Sequence, residues 1–264
     1  MGIDLTGEVA VVTGASGRLG TLWVQVLSGA GAAVAALDLT GAEELAGSAD
    51  SGLGRVLRLT ADVTDRGSLR DALAETTEQL GSPTVLVNNA GVDQPPSTEQ
   101  GSWLFEDLPD DLSAAVLAVN VLGVLKVCQV FGADMAARGR GSVINIGSLY
   151  GNVAPDPRMY AHLPLDPPFL KPPAYGASKA GVSALTRYLA TLWGPRGVRV
   201  NTLSPGGVQG GQDSTFLEQY TARVPLGRMA QLTDLAGPLL FLASGLSSYV
   251  TGHELLVDGG FVSW

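Results

Sequence analysis

Seven short apolar runs, each followed by a turn or a helical stretch, constrain this chain more than any other feature. They lie at residues 8–13, 32–37, 56–59, 84–87, 142–146, 198–203 and 254–257, and each has strand length. Between them, apolar residues recur at helical intervals at 19–27, roughly at 41–49, 65–80 and 111–137, and again around 175–193. Near-continuous apolar strands alternating with helices imply a parallel sheet buried on both faces. The predicted fold class is therefore α/β, a doubly wound seven-stranded parallel sheet with helices on both faces. Such sheets take ligands at the C-terminal ends of their strands. At 264 residues the chain suits one large domain, and residues 1–264 are read as a single unit.

One segment breaks the alternation. Residues 151–173 carry seven prolines and few periodic apolar positions, so an irregular excursion is expected there. Elsewhere, 16% charged residues and an abundance of Gly and Pro fit a compact α/β protein rather than a disordered or coiled-coil one. A net charge of −9 argues against nucleic acid and anionic membrane as partners and leaves a small-molecule substrate. The apolar stretch 114–133 is interrupted by Asn120, Lys126 and Gln129, which favours a buried helix over a membrane span. Cys128 is the only cysteine, so no intrachain disulfide can form and a reducing compartment is compatible. The N-terminal residues lack a basic region and an apolar signal core, and a cytoplasmic location is expected. His162 and His253 are the only histidines and lie far apart in sequence; no metal site is expected.

Thr13-Gly-Ala-Ser-Gly-Arg-Leu-Gly20 places three glycines between the first strand and the first helix. Glycine permits positive φ and close backbone approach, and a helix N-terminus favours a pyrophosphate. Gly14, Ser16, Gly17, Arg18, Leu19 and Gly20 are thus candidate cofactor contacts, as expected of a Rossmann fold. Asp38, 18 residues beyond Gly20, ends the second strand. Its carboxylate can accept hydrogen bonds from the adenosine ribose and repel a 2′-phosphate, which favours NAD over NADP. Arg18 keeps NADP open, because a guanidinium in the loop could contact that phosphate. Asp62 and Val63 suit adenine contact, with Asp62 or Asp65 alternatively capping the next helix.

Tyr175 and Lys179, in Ala174-Tyr-Gly-Ala-Ser-Lys-Ala180, stand four residues apart on a predicted helix and share one face. A positive charge beside a phenol favours the phenolate, so the pair could exchange a proton with a hydroxyl or carbonyl.

With the glycine loop, Asn88-Asn-Ala-Gly91, Tyr175 and Lys179 in this order, the chain resembles the short-chain dehydrogenase/reductase family over essentially its whole length. The resemblance implies a hydride-transferring oxidoreductase interconverting a secondary alcohol and a ketone. It implies catalytic roles for Asn120, in Val119-Asn-Val-Leu-Gly123, and Ser148, in Ile144-Asn-Ile-Gly-Ser148, beside Tyr175 and Lys179. Ser148 would hold the substrate oxygen, Tyr175 would exchange the proton, Lys179 would lower the tyrosine pKa and bind the nicotinamide ribose, and Asn120 would organise a water relay. Asn89, Ala90, Gly91, Pro205, Gly206 and Val208 join the implied cofactor contacts, and a homo-oligomer, tetramer or dimer, is the implied assembly. The apolar spacing of Val182, Leu185, Leu189 and Leu192 permits such an assembly.

Three departures stand out. Gly17 comes one place early, with Arg18 at the usual middle glycine, a spacing that resembles the longer epimerases and dehydratases of the superfamily. Ser148 and Tyr175 are 27 residues apart, about twice the usual gap. Gly210 stands near the position of a threonine that contacts the cofactor carboxamide. A narrower resemblance, carried by Pro155-Asp-Pro-Arg-Met-Tyr160, Lys171-Pro-Pro-Ala-Tyr175 and Val224-Pro-Leu-Gly-Arg-Met-Ala230, points to bacterial oxidoreductases of flagellin glycosylation and nonulosonic-acid pathways and implies an amino-sugar or sugar-phosphate substrate. Arg158, Tyr160 and His162, with Lys171, are the candidate substrate contacts in the excursion, able to grip phosphate or carboxylate. An epimerase or dehydratase using NAD transiently is the alternative, and a non-catalytic dinucleotide-binding regulator a further one.

Overall fold

All seven apolar runs become strands of one sheet: β1 (Val9–Thr13), β2 (Ala33–Asp38), β3 (Val56–Thr60), β4 (Val85–Asn88), β5 (Gly141–Ile146), β6 (Val198–Pro205) and β7 (Glu254–Val257). The computed structural model describes residues 3–40, 54–93 and 102–264, so the helix expected at 41–49 lies outside the described residues. Every neighbouring pair is parallel, in the order β3-β2-β1-β4-β5-β6-β7. The order reverses between β1 and β4, and the crevice beyond those strand ends is where a doubly wound sheet binds its ligand.

The helices are α1 (Arg18–Gly29), α2 (Arg66–Gln79), α3 (Asp110–Arg138), α4 (Pro173–Trp193), α5 (Ser214–Thr221) and α6 (Ala236–Ala243). Successive strand residues point to opposite faces. Val11, Leu86 and Val143 enter a core with Leu69 of α2, Phe131 and Met135 of α3 and Trp193 of α4. Ala10, Val12 and Val87 enter another with Trp23 and Leu27 of α1 and Leu239 of α6. Both faces being covered explains why the strands read as continuous apolar runs rather than alternating ones.

α3 is long and apolar enough to cross a membrane by composition alone. Its Val127, Cys128, Phe131 and Met135 are nevertheless buried against the sheet, which accounts for its hydropathy as that of a core helix. Burial pushes the Cys128 thiol up to about 12, so it packs as a small apolar group. The hydrogen bonding of α3 widens to π turns at Ala118–Gly123 and Cys128–Gly132, the former carrying Asn120; such turns recur at functional sites.

The excursion is irregular apart from single turns at Leu149–Gly151 and Pro157–Tyr160. It is nevertheless packed: Met159, Tyr160 and Phe169 are buried with Tyr220, Val224 and Met229 in a third, smaller core. On α4, Val182 and Leu189 belong to the chain's own core and Leu185 packs against it, leaving Leu192 exposed beside Tyr188.

Candidate active site

Two cavities open at the C-terminal ends of the strands. The larger, of about 970 Å³, runs from the end of β2 past the glycine loop to the start of α4. Gly14 turns there with φ +64°, and a Cβ on it would stand 2.7 Å from Ala90 Cα, so the loop and the end of β4 meet backbone to backbone. Asn89 fixes that junction: its side-chain amide donates to the Thr13 and Gly14 carbonyls at 3.0 and 2.9 Å and accepts from Trp23 Nε1 at 2.9 Å. Asp38 stands at the far end, where its carboxylate accepts from the Ser16 and Leu39 N–H groups at 2.8 and 2.7 Å. Asp62 and Val63 also line the cleft. The Asp62 carboxylate is held by Thr64, while Asp65 caps α2.

The residues present suit a dinucleotide: a backbone cradle at a helix N-terminus, a carboxylate at the ribose end and a lysine at the other. Of the expected cofactor residues, Gly14, Ser16, Gly17, Arg18, Leu19, Asp38, Asp62, Val63, Asn89, Ala90, Gly91, Tyr175, Lys179, Pro205, Gly206 and Val208 line the cleft. Gly20 does not. It lies buried beneath the loop, where a Cβ would fall 2.0 Å from the Gly14 carbonyl oxygen, and serves close packing of α1 on the loop.

Arg18 resolves two of the three departures together. Its guanidinium donates to the carbonyls of Val208, at 3.4 Å, and Gln209, beyond the end of β6. A Cβ on residue 210 would stand 2.5 Å from Arg18 Nη1. The arginine in place of a glycine and the glycine in place of a threonine are thus two halves of one contact. That contact draws Arg18 toward the end of β6.

Tyr175 lies in the first turn of α4, which starts at Pro173, and Lys179 follows one turn on. Lys179 is buried, its ammonium donating to the Ile146 carbonyl at 2.9 Å and lying 5.7 Å from the centre of the Tyr175 ring. Burial lowers its pKa to about 8, with Asp93 opposing the shift. The Tyr175 phenol is pushed well above its usual range, first by burial and then by the Asp93 charge, with the Ser148 hydroxyl the group acting the other way. Lys179, expected to lower the tyrosine, is not among the groups that set this phenol in the protein alone: desolvation and a nearby carboxylate raise it, and the lowering comes from Ser148. Asn120 is buried below the cleft rather than lining it. Its amide clamps Val92, accepting from the N–H at 2.8 Å and donating to the carbonyl at 2.9 Å, and reaches Ser178 Oγ at 3.1 Å. It acts on the site by fixing the chain after β4.

The second cavity, of about 570 Å³, adjoins the first, and both are bordered by Asp93, Ser148, Tyr175 and Gly206. Tyr160 and His162 line it, and His162 Nε2 lies 2.9 Å from Asp213 Oδ1. Arg158 does not reach it. Its guanidinium is exposed and forked onto Asp156, which also takes Arg223, so its charge is satisfied outside the pocket. Sequence reasoning missed Asp93 and the aromatic wall of Tyr150, Phe216 and Tyr220. Asp93 pairs with Lys171 at 2.5 Å, a partner 78 positions away.

Known proteins match the chain over nearly its whole length. The family model described as short chain dehydrogenase matches residues 8–162, and the one described as Enoyl-(Acyl carrier protein) reductase matches 168–262. The chain is 34% identical to galactitol 2-dehydrogenase (L-tagatose-forming) of Cereibacter sphaeroides, over 98% of this chain and 97% of that protein. It is 33% identical to D-threitol dehydrogenase of Mycolicibacterium smegmatis, over 97% and 94%. Among solved structures, a Leptospira borgpetersenii short chain dehydrogenase with bound NAD+ superposes with a TM-score of 0.84 at 33% identity, over 98% of this chain and 94% of that one. A gluconate 5-dehydrogenase of Burkholderia cenocepacia in complex with NADP and tartrate gives 0.84 at 29% identity, over 100% and 98%. The chain belongs to the short-chain dehydrogenase/reductase family and, as a member, is an NAD(P)-dependent oxidoreductase acting on a CH–OH group.

Proposed function

We propose that this enzyme oxidises a sugar alcohol at a secondary hydroxyl to the corresponding ketose, with NAD+ as the preferred acceptor. The observation that carries the proposal is the meeting of the two cavities at Ser148 and Tyr175, which leaves room for a substrate carbon and a cofactor ring on either side of one hydroxyl and one phenol. The Ser148 hydroxyl holds the substrate oxygen, and Tyr175 takes its proton during oxidation and returns it during reduction. Lys179 keeps a positive charge beside Tyr175 and, with Gly91 and Ile146, would hold the nicotinamide ribose. Bound NAD+ supplies the acceptor for the hydride that leaves the carbinol carbon. Asn120 is a positioning residue, holding the Val92 backbone between the two cavities.

The preference for NAD rests on Asp38, anchored at the adenosine end, and on Arg18 being drawn toward the end of β6. The galactitol and D-threitol dehydrogenases above are named for polyols, and none of the relatives above is named for flagellin glycosylation or nonulosonic acids, which supports a sugar alcohol ahead of an amino sugar or sugar phosphate. The Gly14, Gly17 and Gly20 spacing has a structural counterpart in the Arg18–Gly210 contact and adds no support to an epimerase or dehydratase. A cytoplasmic homo-oligomer is part of the same proposal, supported by the exposed Leu117, Leu122, Tyr188 and Leu192 on α3 and α4. The test is nicotinamide reduction by NAD+ and NADP+ over a panel of tetritols, pentitols and hexitols, with the products identified. Ketose formation with NAD+ is expected; isomerised or dehydrated products without net reduction would overturn the assignment.

A further inference from the structure

The second cavity holds four chargeable side chains besides its tyrosines: Asp93, His162, Lys171 and Asp213. They form two pairs, Lys171 with Asp93 at 2.5 Å and His162 with Asp213 at 2.9 Å. Among the described lining residues, Lys171 and His162 are thus each paired with a carboxylate. The two members of the first pair are not equally open. The Lys171 side chain is only 9% exposed, lying 5.0 Å from the centre of the Tyr175 ring, whereas Asp93 is 39% exposed and borders both cavities. What the pair offers to a substrate is its carboxylate face. The Asn120 clamp on Val92 holds Asp93 in place from the neighbouring residue.

A phosphate or carboxylate brought into this space meets Asp93 beside the reacting groups and finds Lys171 already neutralised, which is unfavourable in a partly desolvated pocket. A neutral polyol meets an acceptor for its hydroxyl hydrogens, and hydrogen bonds to an ionised acceptor are the stronger kind. Resting on the sugar-alcohol assignment above, we propose that Asp93 is a specificity-determining residue that binds a substrate hydroxyl near the reacting carbon, and that its pairing with Lys171 selects neutral polyols against phosphorylated and carboxylated sugars. Lys171, a candidate phosphate grip in the sequence, becomes the group that holds this carboxylate.

The test is steady-state kinetics with NAD+ for the wild type, Asp93→Asn and Lys171→Gln. The substrates are threitol, arabinitol and galactitol, each beside its phosphate monoester and its aldonate. The wild type is expected to favour the neutral member of each set. Asp93→Asn should raise the KM of the polyol about tenfold, the loss of one charge-assisted hydrogen bond, with a much smaller change in kcat. It should lower the KM of the anionic members by freeing Lys171, whereas Lys171→Gln should raise that KM. General damage to the pocket would move both variants in the same direction, and Lys171→Gln alone decides the matter should Asp93→Asn fail to fold. A wild-type preference for the anionic members overturns the proposal. So does polyol turnover with an unchanged neutral-to-anionic ratio in both variants, which leaves the sugar-alcohol assignment standing. No turnover of any polyol by the wild type overturns that assignment and this inference together.

Discussion

Replacing Lys179 by methionine should stabilise the cofactor-free protein while abolishing its activity. The Lys179 ammonium is buried with the Ile146 carbonyl as its hydrogen-bond partner, and burial moves its pKa from an ordinary 10.5 to about 8. That displacement corresponds to about 3 kcal/mol of disfavoured charge at neutral pH. Methionine fills a similar volume without the charge but leaves the Ile146 carbonyl without its donor, which costs about 1–2 kcal/mol. A net gain of about 1–2 kcal/mol is expected at neutral pH. The pH dependence carries a sign. The unfolded chain holds the lysine proton up to 10.5 and the folded chain releases it near 8, so the unfolded state binds more protons in between. Wild-type stability therefore gains from this group as pH rises through that window, and the full penalty applies below it. Cys128, raised from 9.0 to about 12, and the buried tyrosines act in the opposite sense at high pH, but both proteins carry them. Wild type minus variant should rise by up to about 1.4 kcal/mol per pH unit between 8 and 10.5 and be flat below 8. Urea unfolding followed by tryptophan fluorescence at one fixed protein concentration measures it. A variant less stable than wild type at neutral pH, with a difference independent of pH, would refute the reasoning.

Two further substitutions test the cofactor cleft. Arg18→Ala and Gly210→Thr should each raise the KM for NAD+ about tenfold, because each removes the guanidinium from the Val208 and Gln209 carbonyls. Combined, they should cost about 1 kcal/mol less than the sum of the two, and strict additivity would show that the contact does not matter. Asp38→Ser removes the carboxylate facing the adenosine end and should raise kcat/KM for NADP+ relative to NAD+ by about tenfold or more; an unchanged ratio would place the discrimination elsewhere.

The strands were legible because a parallel sheet covered on both faces needs apolar residues at nearly every position, and the glycine loop because only a close backbone approach requires that spacing. Element ends shifted where proline allows either state: β6 runs on to Pro205, and α4 begins at Pro173. What stayed hidden depends on partners distant in sequence. Met159 and Phe169 look like loop residues until Tyr220 and Met229 close over them. Asp93 reads as an ordinary residue after Asn88-Asn-Ala-Gly91 until Lys171 arrives from 78 positions on. Arg18 and Gly210 look like separate departures although they form one contact. For Arg158 the signal is local, since Asp156 two residues before it both caps the Pro157–Tyr160 turn and takes its guanidinium. The direction of the Tyr175 shift was likewise beyond the sequence, because burial is a property of the packed site.

Single-turnover oxidation of a sugar alcohol by enzyme preloaded with NAD+, wild type against Tyr175→Phe, tests most directly the claim that Tyr175 exchanges the proton where the two cavities meet. Loss of the phenolic hydroxyl should slow the chemical step by roughly 10²–10⁴-fold while NADH binding, read by its fluorescence, stays within a factor of about two to three. A variant that oxidises the substrate at close to the wild-type rate would contradict the account.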